Sequence, residues 1–249
     1  NPHPQSSADP KIVSSFLGLI FILIVAIPVT GQNIIKGTNA SASHIVEIII
    51  KNTGASPVPN TVDVIKEGNP ETKVTGIATC MFATMDVLKQ AVSRNCNLII
   101  THEPLYYNHF DETQQFRNDS VFLAKQHYIM DHKLVIWRFH DYIHSIKPDG
   151  ILSGMVSKLG WQSYAIDDQL NRFNVPEITL RSFAEKLKKT FPENAFYIAG
   201  NPDMKLSRIY LSPGAPGGGS QIGVLEDKNI DLLISGESPQ WETYEYTRD

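Results

Sequence analysis

The sequence predicts an α/β fold with largely parallel sheets and helices packed outside them. Three observations carry that prediction. Strand-like and helix-like segments alternate over nearly the whole chain from Ala42 onward. One stretch, from Lys73 to Glu103, reads as strand, helix and strand within about 30 residues, the length of a βαβ unit with parallel strands. Its strands are near-continuous apolar runs, not alternating ones, as happens when helices cover both faces of a sheet.

The N-terminus stands apart from this pattern. KIVSSFLGLIFILIVAIPVTGQ opens on Lys11, runs apolar from Phe16 to Val29 and closes on Thr30 and Gly31. A basic start, an apolar middle and a small-residue end describe a secretory signal peptide over residues 1–31. An uncleaved N-terminal anchor is the alternative, although the run is short for a membrane span of about 20 residues. Either reading puts the domain at 32–249 outside the cytoplasm, secreted or periplasmic, or membrane-anchored and extracytoplasmic.

From there the elements follow in order. ASHIVEIIIKNTG, from Ala42 to Gly54, is a helix that Ser43 can cap and Gly54 can end. A Pro/Asn/Gly-rich connector holds one short strand around Thr61 to Ile65. KVTGIATCMFA is a strand. TMDVLKQAVSRN is an amphipathic helix capped by Thr84 and closed by Asn95, and CNLIITHE is the second strand. A helix over Asp119 to Lys133 has Asp or Ser as its cap, and LVIWRFH, Leu134 to His140, is the third strand. ILSGMVSKLGW is a helix ending at Gly160. A strand then runs to Leu180 and a helix from about Ser182 to Thr190. Two more strands lead to the glycine-rich turn SPGAPGGGSQIG, with a helix opening near Ser220, and NIDLLISGES is the last strand.

Composition narrows the class. Apolar residues make up 42% and charged residues 19% of the 249, which fits a globular protein with a real core. A net charge of −4 offers no basic stripe for nucleic acid. Cys80 and Cys96 lack the regular spacing of a disulfide framework and read as small core residues. The sequons at Asn39 and Asn118 are too short a pattern to weigh.

Ligands of open α/β sheets bind beyond the carboxyl ends of the strands. Three predicted strands end there in ionisable clusters. LIITHEP delivers His102 and Glu103, with His109, Asp111 and Glu112 behind them. VIWRFHDYIH delivers His140, Asp141 and His144, and LLISGES delivers Glu237. Six of the eight histidines fall between His102 and His144. Imidazoles with carboxylates suit divalent zinc, iron, manganese or cobalt. His102, Glu103 and His144 are therefore the expected metal ligands. Two adjacent ligands such as His102 and Glu103 can face two ions, and a pair of ions would activate water as nucleophile. His140, Asp141 and His109 are expected to orient the ligands or to join them. His127 and His132, on a predicted helix, read as ordinary surface histidines, and His3 and His44 carry no signal. Trp137, Tyr106 and Tyr107 read as core or pocket wall. The glycine-rich turn lacks the Gly-Lys-Ser/Thr ending of a P-loop. Gly217, Gly218 and Gly219 still offer free backbone N–H groups for an anion, or simply make a tight strand-to-helix connection.

Taken together, VTGIATCMFATMDVLKQAV, NLIITHEP, WRFHDYIH, PGAPGGGSQI and DLLISGES resemble the Nif-three-like family, the GTP cyclohydrolase 1 type 2 homologues, from about Ala42 to the C-terminus. The resemblance implies two related α/β lobes with mixed sheets. It also implies a toroidal homohexamer and a dinuclear metal centre facing an internal cavity. The family's His-His-Pro motif falls on His102-Glu103-Pro104, and its His-Thr-Asn-Leu-Asp motif on His140-Asp141-Tyr142-Ile143-His144. Glu103 thus stands where relatives have His, and His144 where they have Asp. The family's last His and Glu ligands would follow beyond Asp249, so the resemblance implies a chain shortened at its C-terminus. The expected function is a dinuclear metal-dependent hydrolase acting on a nucleotide-like or cyclic amide small molecule. A non-catalytic metal-binding ring or scaffold is the alternative, and a ligand-binding lobe built on the glycine-rich turn is a third. The partners expected are a small-molecule substrate and further copies of this chain, without nucleic acid, and with membrane only through an uncleaved N-terminal segment.

Overall fold

The apolar runs of the βαβ stretch become strands covered on both faces. The computed structural model describes residues 39–249 and the backbone of 12–17. They fall into two compact units, Val25–Lys147 and Pro148–Asp249, the latter including the strand β1 (Ile12–Leu17).

In the first unit, helix α1 (Ala42–Thr53) precedes strands β2 (Ile65–Glu67), β3 (Ile77–Cys80), β4 (Leu98–Thr101) and β5 (Val135–Arg138). The sheet order is β2-β5-β4-β3. β3, β4 and β5 are parallel, and β2 closes one edge antiparallel to β5. Helix α2 (Met85–Ser93) crosses from β3 to β4, and α3 (Ser120–Asp131) from β4 to β5. Side chains alternate across the strands. Leu98, Ile100, Val135 and Trp137 cluster with Ala42, Ile45 and Ile49 of α1. Ile99 and Ile136 cluster instead with Leu88 and Ala91 of α2 and with Phe122 and Ile129 of α3. Each such side chain, fully buried, contributes roughly 1.5–3 kcal/mol. Cys80 and Cys96 are free thiols packed against this second cluster.

Local signals set the helix ends. Thr84 accepts from the Val87 N–H, and Asp119 from the N–H groups of Val121 and Phe122. α1 differs from expectation: Ser41, in extended conformation, accepts from His44 N–H, and Ser43 lies inside the first turn. The connector strand also begins later than expected, at Ile65. Thr61, Val62 and Asp63 instead turn their polar groups to the short helix α4 (Asp141–Ser145). Gly68, just after β2, has φ +92° and lies against the Leu134 carbonyl, where a Cβ would overlap it.

The second unit carries a five-stranded sheet ordered β6-β8-β9-β1-β7, with β6 (Arg172–Thr179), β7 (Ala195–Ile198), β8 (Lys205–Ser212) and β9 (Leu232–Ser235). β8, β9 and β1 are parallel, while β6 and β7 pair antiparallel at the edges. Its main core joins Leu206, Ile209, Leu211, Leu232 and Ile234 to Val156 of helix α5 (Gly150–Leu159) and to Phe183 and Leu187 of α6 (Leu180–Thr190). Gly160, left-handed, ends α5 as expected. Leu233 faces the other way, toward Leu225 of α7 (Gly218–Glu226). Gly236 follows β9 so close to the Gly214 backbone that a Cβ there would overlap it.

Mixed sheets with helices outside them, in two units, are the α/β architecture expected. The leader expected over residues 1–31 lies outside the described residues except at 12–17, the strand β1. Among the described residues no helix is long and apolar enough to cross a membrane.

Candidate metal centre

The parallel neighbours β4 and β5 end at the same edge of their sheet, and two site segments leave from there. Phe139 N–H donates to the Thr101 carbonyl, so the strand pairing continues to the threshold of the site. β4 hands over to His102, and β5 to His140 and then to α4. His140 and His144 are four residues apart, and His144 N–H donates to the His140 carbonyl, so one helical turn stacks their side chains. The ring centres of His102 and His140 are 4.7 Å apart, those of His102 and His144 5.1 Å, and those of His140 and His144 4.9 Å. One ligand atom from each of the three lies within 4.8 Å of the others.

Hydrogen bonds fix which nitrogen two of the rings present. His102 Nδ1 lies 3.1 Å from the Phe139 carbonyl. A carbonyl only accepts, so Nδ1 carries the proton and Nε2 is the ligand atom. His140 Nδ1 lies 2.9 Å from the Asp141 carboxylate, which orients that ring in the same way. Burial lowers the His102 pKa to about 4, with the neighbouring His140 and His144 charges adding to the effect, so this imidazole is neutral and ready to ligate. Burial pushes the Asp141 carboxyl upward. Hydrogen bonds from His140, Val62 N–H and Thr61 Oγ1 outweigh it, and its pKa falls below the ordinary carboxylate value.

Two buried groups hold this edge together. Asp63 accepts from the N–H groups of His140 and Asp141 with Oδ1 and from that of Tyr142 with Oδ2, capping α4 from a distant segment. Arg138, fully buried, donates Nε to the His102 carbonyl and Nη1 to the His109 carbonyl. Its Nη2 stands 3.9 Å from the Glu103 carboxylate.

The expected residues therefore divide. His102 and His144 meet in the cluster, and His140 joins them as a third candidate ligand. Asp141, expected to orient the ligands, lies against His140 Nδ1. Glu103 faces Arg138 and lies outside the three-histidine set, lining a cavity of about 460 Å³ with His109 and Lys125. The His109 ring is 6.0 Å from that of His140. Glu237 belongs to the second unit, where its backbone carbonyl accepts from Gln221 Nε2. Gly217, with φ +87°, precedes α7, and a Cβ on Gly218 would overlap the Glu242 carboxylate. The turn thus already carries an acidic side chain of its own. Sequence reasoning missed Asp63, which sits in a connector with no spacing signal. It also underrated His140, although its four-residue separation from His144 was visible.

Three imidazoles on converging elements, two with Nδ1 already committed, form a donor set that can bind a divalent metal. Comparison with known proteins identifies the family. The family model for Duf34/NIF3 (NGG1p interacting factor 3) matches residues 57–248. The chain belongs to that family. It is 26% identical over 193 residues to a GTP cyclohydrolase 1 type 2 homolog of Clostridium acetobutylicum, covering 73% of this chain and 68% of the relative. Its fold is similar to that of a Bacillus cereus protein related to NIF3, with a TM-score of 0.66 at 13% identity over 85% of each chain. It is also similar to reduced HcgD from Methanocaldococcus jannaschii, with a TM-score of 0.58 at 17% identity over 86% of this chain and 85% of that one.

Proposed function

We propose that this chain is a metal-dependent hydrolase acting on a nucleotide-like or cyclic amide small molecule. The observation that carries the reading is the convergence of His102, His140 and His144. His102 Nε2 is presented because its Nδ1 donates to Phe139, and Asp141 orients His140. A divalent ion held there would act as a Lewis acid and lower the pKa of water. The protein's own part is to fix the imidazoles, to keep Asp141 anionic behind His140 and to offer a cavity beside them. The name of the Clostridium relative supports ring-opening hydrolysis as the reaction class.

The test is metal content followed by turnover. The full chain, reconstituted with zinc, manganese or ferrous iron and desalted, is expected to retain metal by elemental analysis. His102→Ala, His140→Ala and His144→Ala should each lose it while keeping the native circular dichroism. Metal retained in all three variants would sink the assignment. Metal bound with no turnover across a panel of nucleotides, phosphoesters and cyclic amides would favour the non-catalytic ring or scaffold.

A further inference from the structure

The cavity beside the histidines is lined by Phe82, Pro104 and Tyr107, with Glu103, His109 and Lys125 as its ionisable groups. Its volume of about 460 Å³ falls within the ~300–1,000 Å³ typical of small-molecule sites. Phe82 and Tyr107 are large apolar side chains left 56% and 52% exposed, and both line it. Tyr107 is aimed at some cost, since its φ of +50° is rare for an aromatic residue. The loop that imposes this is tied down. Tyr106 N–H donates to Asp111 Oδ1 at 2.6 Å, and the Asn108 amide bridges the carbonyls of Tyr106 and Glu112. Phe116 braces the Tyr107 ring edge-on, with ring centres 5.3 Å apart.

The polar groups of the cavity are of two opposite kinds. Lys125 gives one N–H to the Leu105 carbonyl at 2.7 Å and stands 5.6 and 5.7 Å from the ring centres of Tyr106 and Tyr107. An ammonium has three donors and no acceptor, and the Leu105 carbonyl takes one of the three. Glu103, ionised, is acceptor-only. A ligand anion would suit Lys125 but meet repulsion from Glu103, and a ligand cation the reverse. A neutral flat ring with an adjacent C=O and N–H satisfies both.

We infer that this cavity is the recognition subsite for a planar heterocycle bearing a lactam edge. Phe82 and Tyr107 take the ring faces, Glu103 accepts the lactam N–H, and Lys125 donates to the lactam oxygen. The inference deepens the proposed hydrolase and rests on that reading for its chemistry, whereas binding itself needs no metal. Burial lowers the Lys125 pKa to about 8, and either protonation state keeps N–H groups to donate.

Equilibrium dialysis of the chelator-treated full chain with hypoxanthine, and with purine as the same ring lacking the oxygen, tests it. Hypoxanthine is expected to bind at least about tenfold tighter, because purine offers neither the lactam oxygen for Lys125 nor the lactam N–H for Glu103. Glu103→Gln and Lys125→Met should each weaken hypoxanthine about tenfold or more. Tyr107→Ala should weaken both rings and Tyr107→Phe neither. If Lys125→Met does not fold, the half-buried Glu103→Gln variant decides alone. Equal binding of the two rings, indifference to Glu103→Gln, or displacement of hypoxanthine by the zwitterion tyrosine would each overturn the inference. Hypoxanthine bound by a chain that takes up no metal on reconstitution would leave the subsite standing and the hydrolase reading failed. Metal bound without hypoxanthine would be the reverse.

Discussion

Burial lowers the His102 pKa from 6.5 to about 4, and the charges of His140, His144 and Arg138 act in the same direction, against the hydrogen bond to Phe139. The sign of the consequence follows from proton counting. Between about pH 4 and pH 6.5 the unfolded chain binds a proton at this position that the folded chain does not. Its contribution to stability is therefore fully present above 6.5 and lost as pH falls toward about 4. In the metal-free protein, an NMR titration should show the His102 ring neutral at pH 5.5, about midway in that window, and urea midpoints should fall as pH is lowered through it. A ring that titrates at the ordinary histidine value would show that the burial is not real. His102 was legible because it ends an apolar strand, a place where ionisable residues face a mouth. The partner of Glu103 was not legible. Arg138 falls inside the strand expected over Leu134 to His140, and only pairing with β4 brings its guanidinium under the carbonyls of His102 and His109.

At the scale of the element, α4 is the critical piece. Five residues make a helix too short to hold itself. It persists because Asp63 accepts three of its leading N–H groups and Thr61 and Val62 grip Asp141. Removing the cap should therefore reach the histidines. Asp63→Ala is expected to cost roughly 2–3 kcal/mol in urea unfolding. It should also weaken zinc binding about 10–100-fold by calorimetry, since His140 and His144 lose their common support. Asp63→Asn should fall between, keeping an acceptor but not the charge. Unchanged zinc affinity in Asp63→Ala would mean that the loop alone sets the ligands. The longer helices were legible from apolar spacing and from caps at Thr84, Asp119 and Gly160, which are local effects. The connector strand was misplaced because Asp63 serves a helix almost eighty residues further on, with |i−j| of 77 to 79. No local pattern encodes such a pairing.

At the scale of the molecule, the two units each bury their own core. The first is organised on both faces of β4 and β5, and the second around Phe173, Leu206, Ile209 and Leu211. The alternation of strands and helices announced this architecture in both halves, because buried parallel strands and their crossover helices leave contiguous apolar signatures. The place of β1 could not be read in that way, since an apolar segment at a chain start carries the same composition as a strand or a leader. All three histidines, their supports and the adjacent cavity come from the first unit alone. The site should then tolerate damage to the second core. Ile209→Ala removes a fully buried side chain from β8 and is expected to cost about 2–5 kcal/mol. Hydrogen exchange should show faster opening of β8 and β9, with protection in β4 and β5 retained. Zinc stoichiometry in the folded protein should be unchanged. Loss of protection in both sheets together would mean that the units unfold as one cooperative body, and that the metal centre depends on the second core through stability even where it takes no ligand from it.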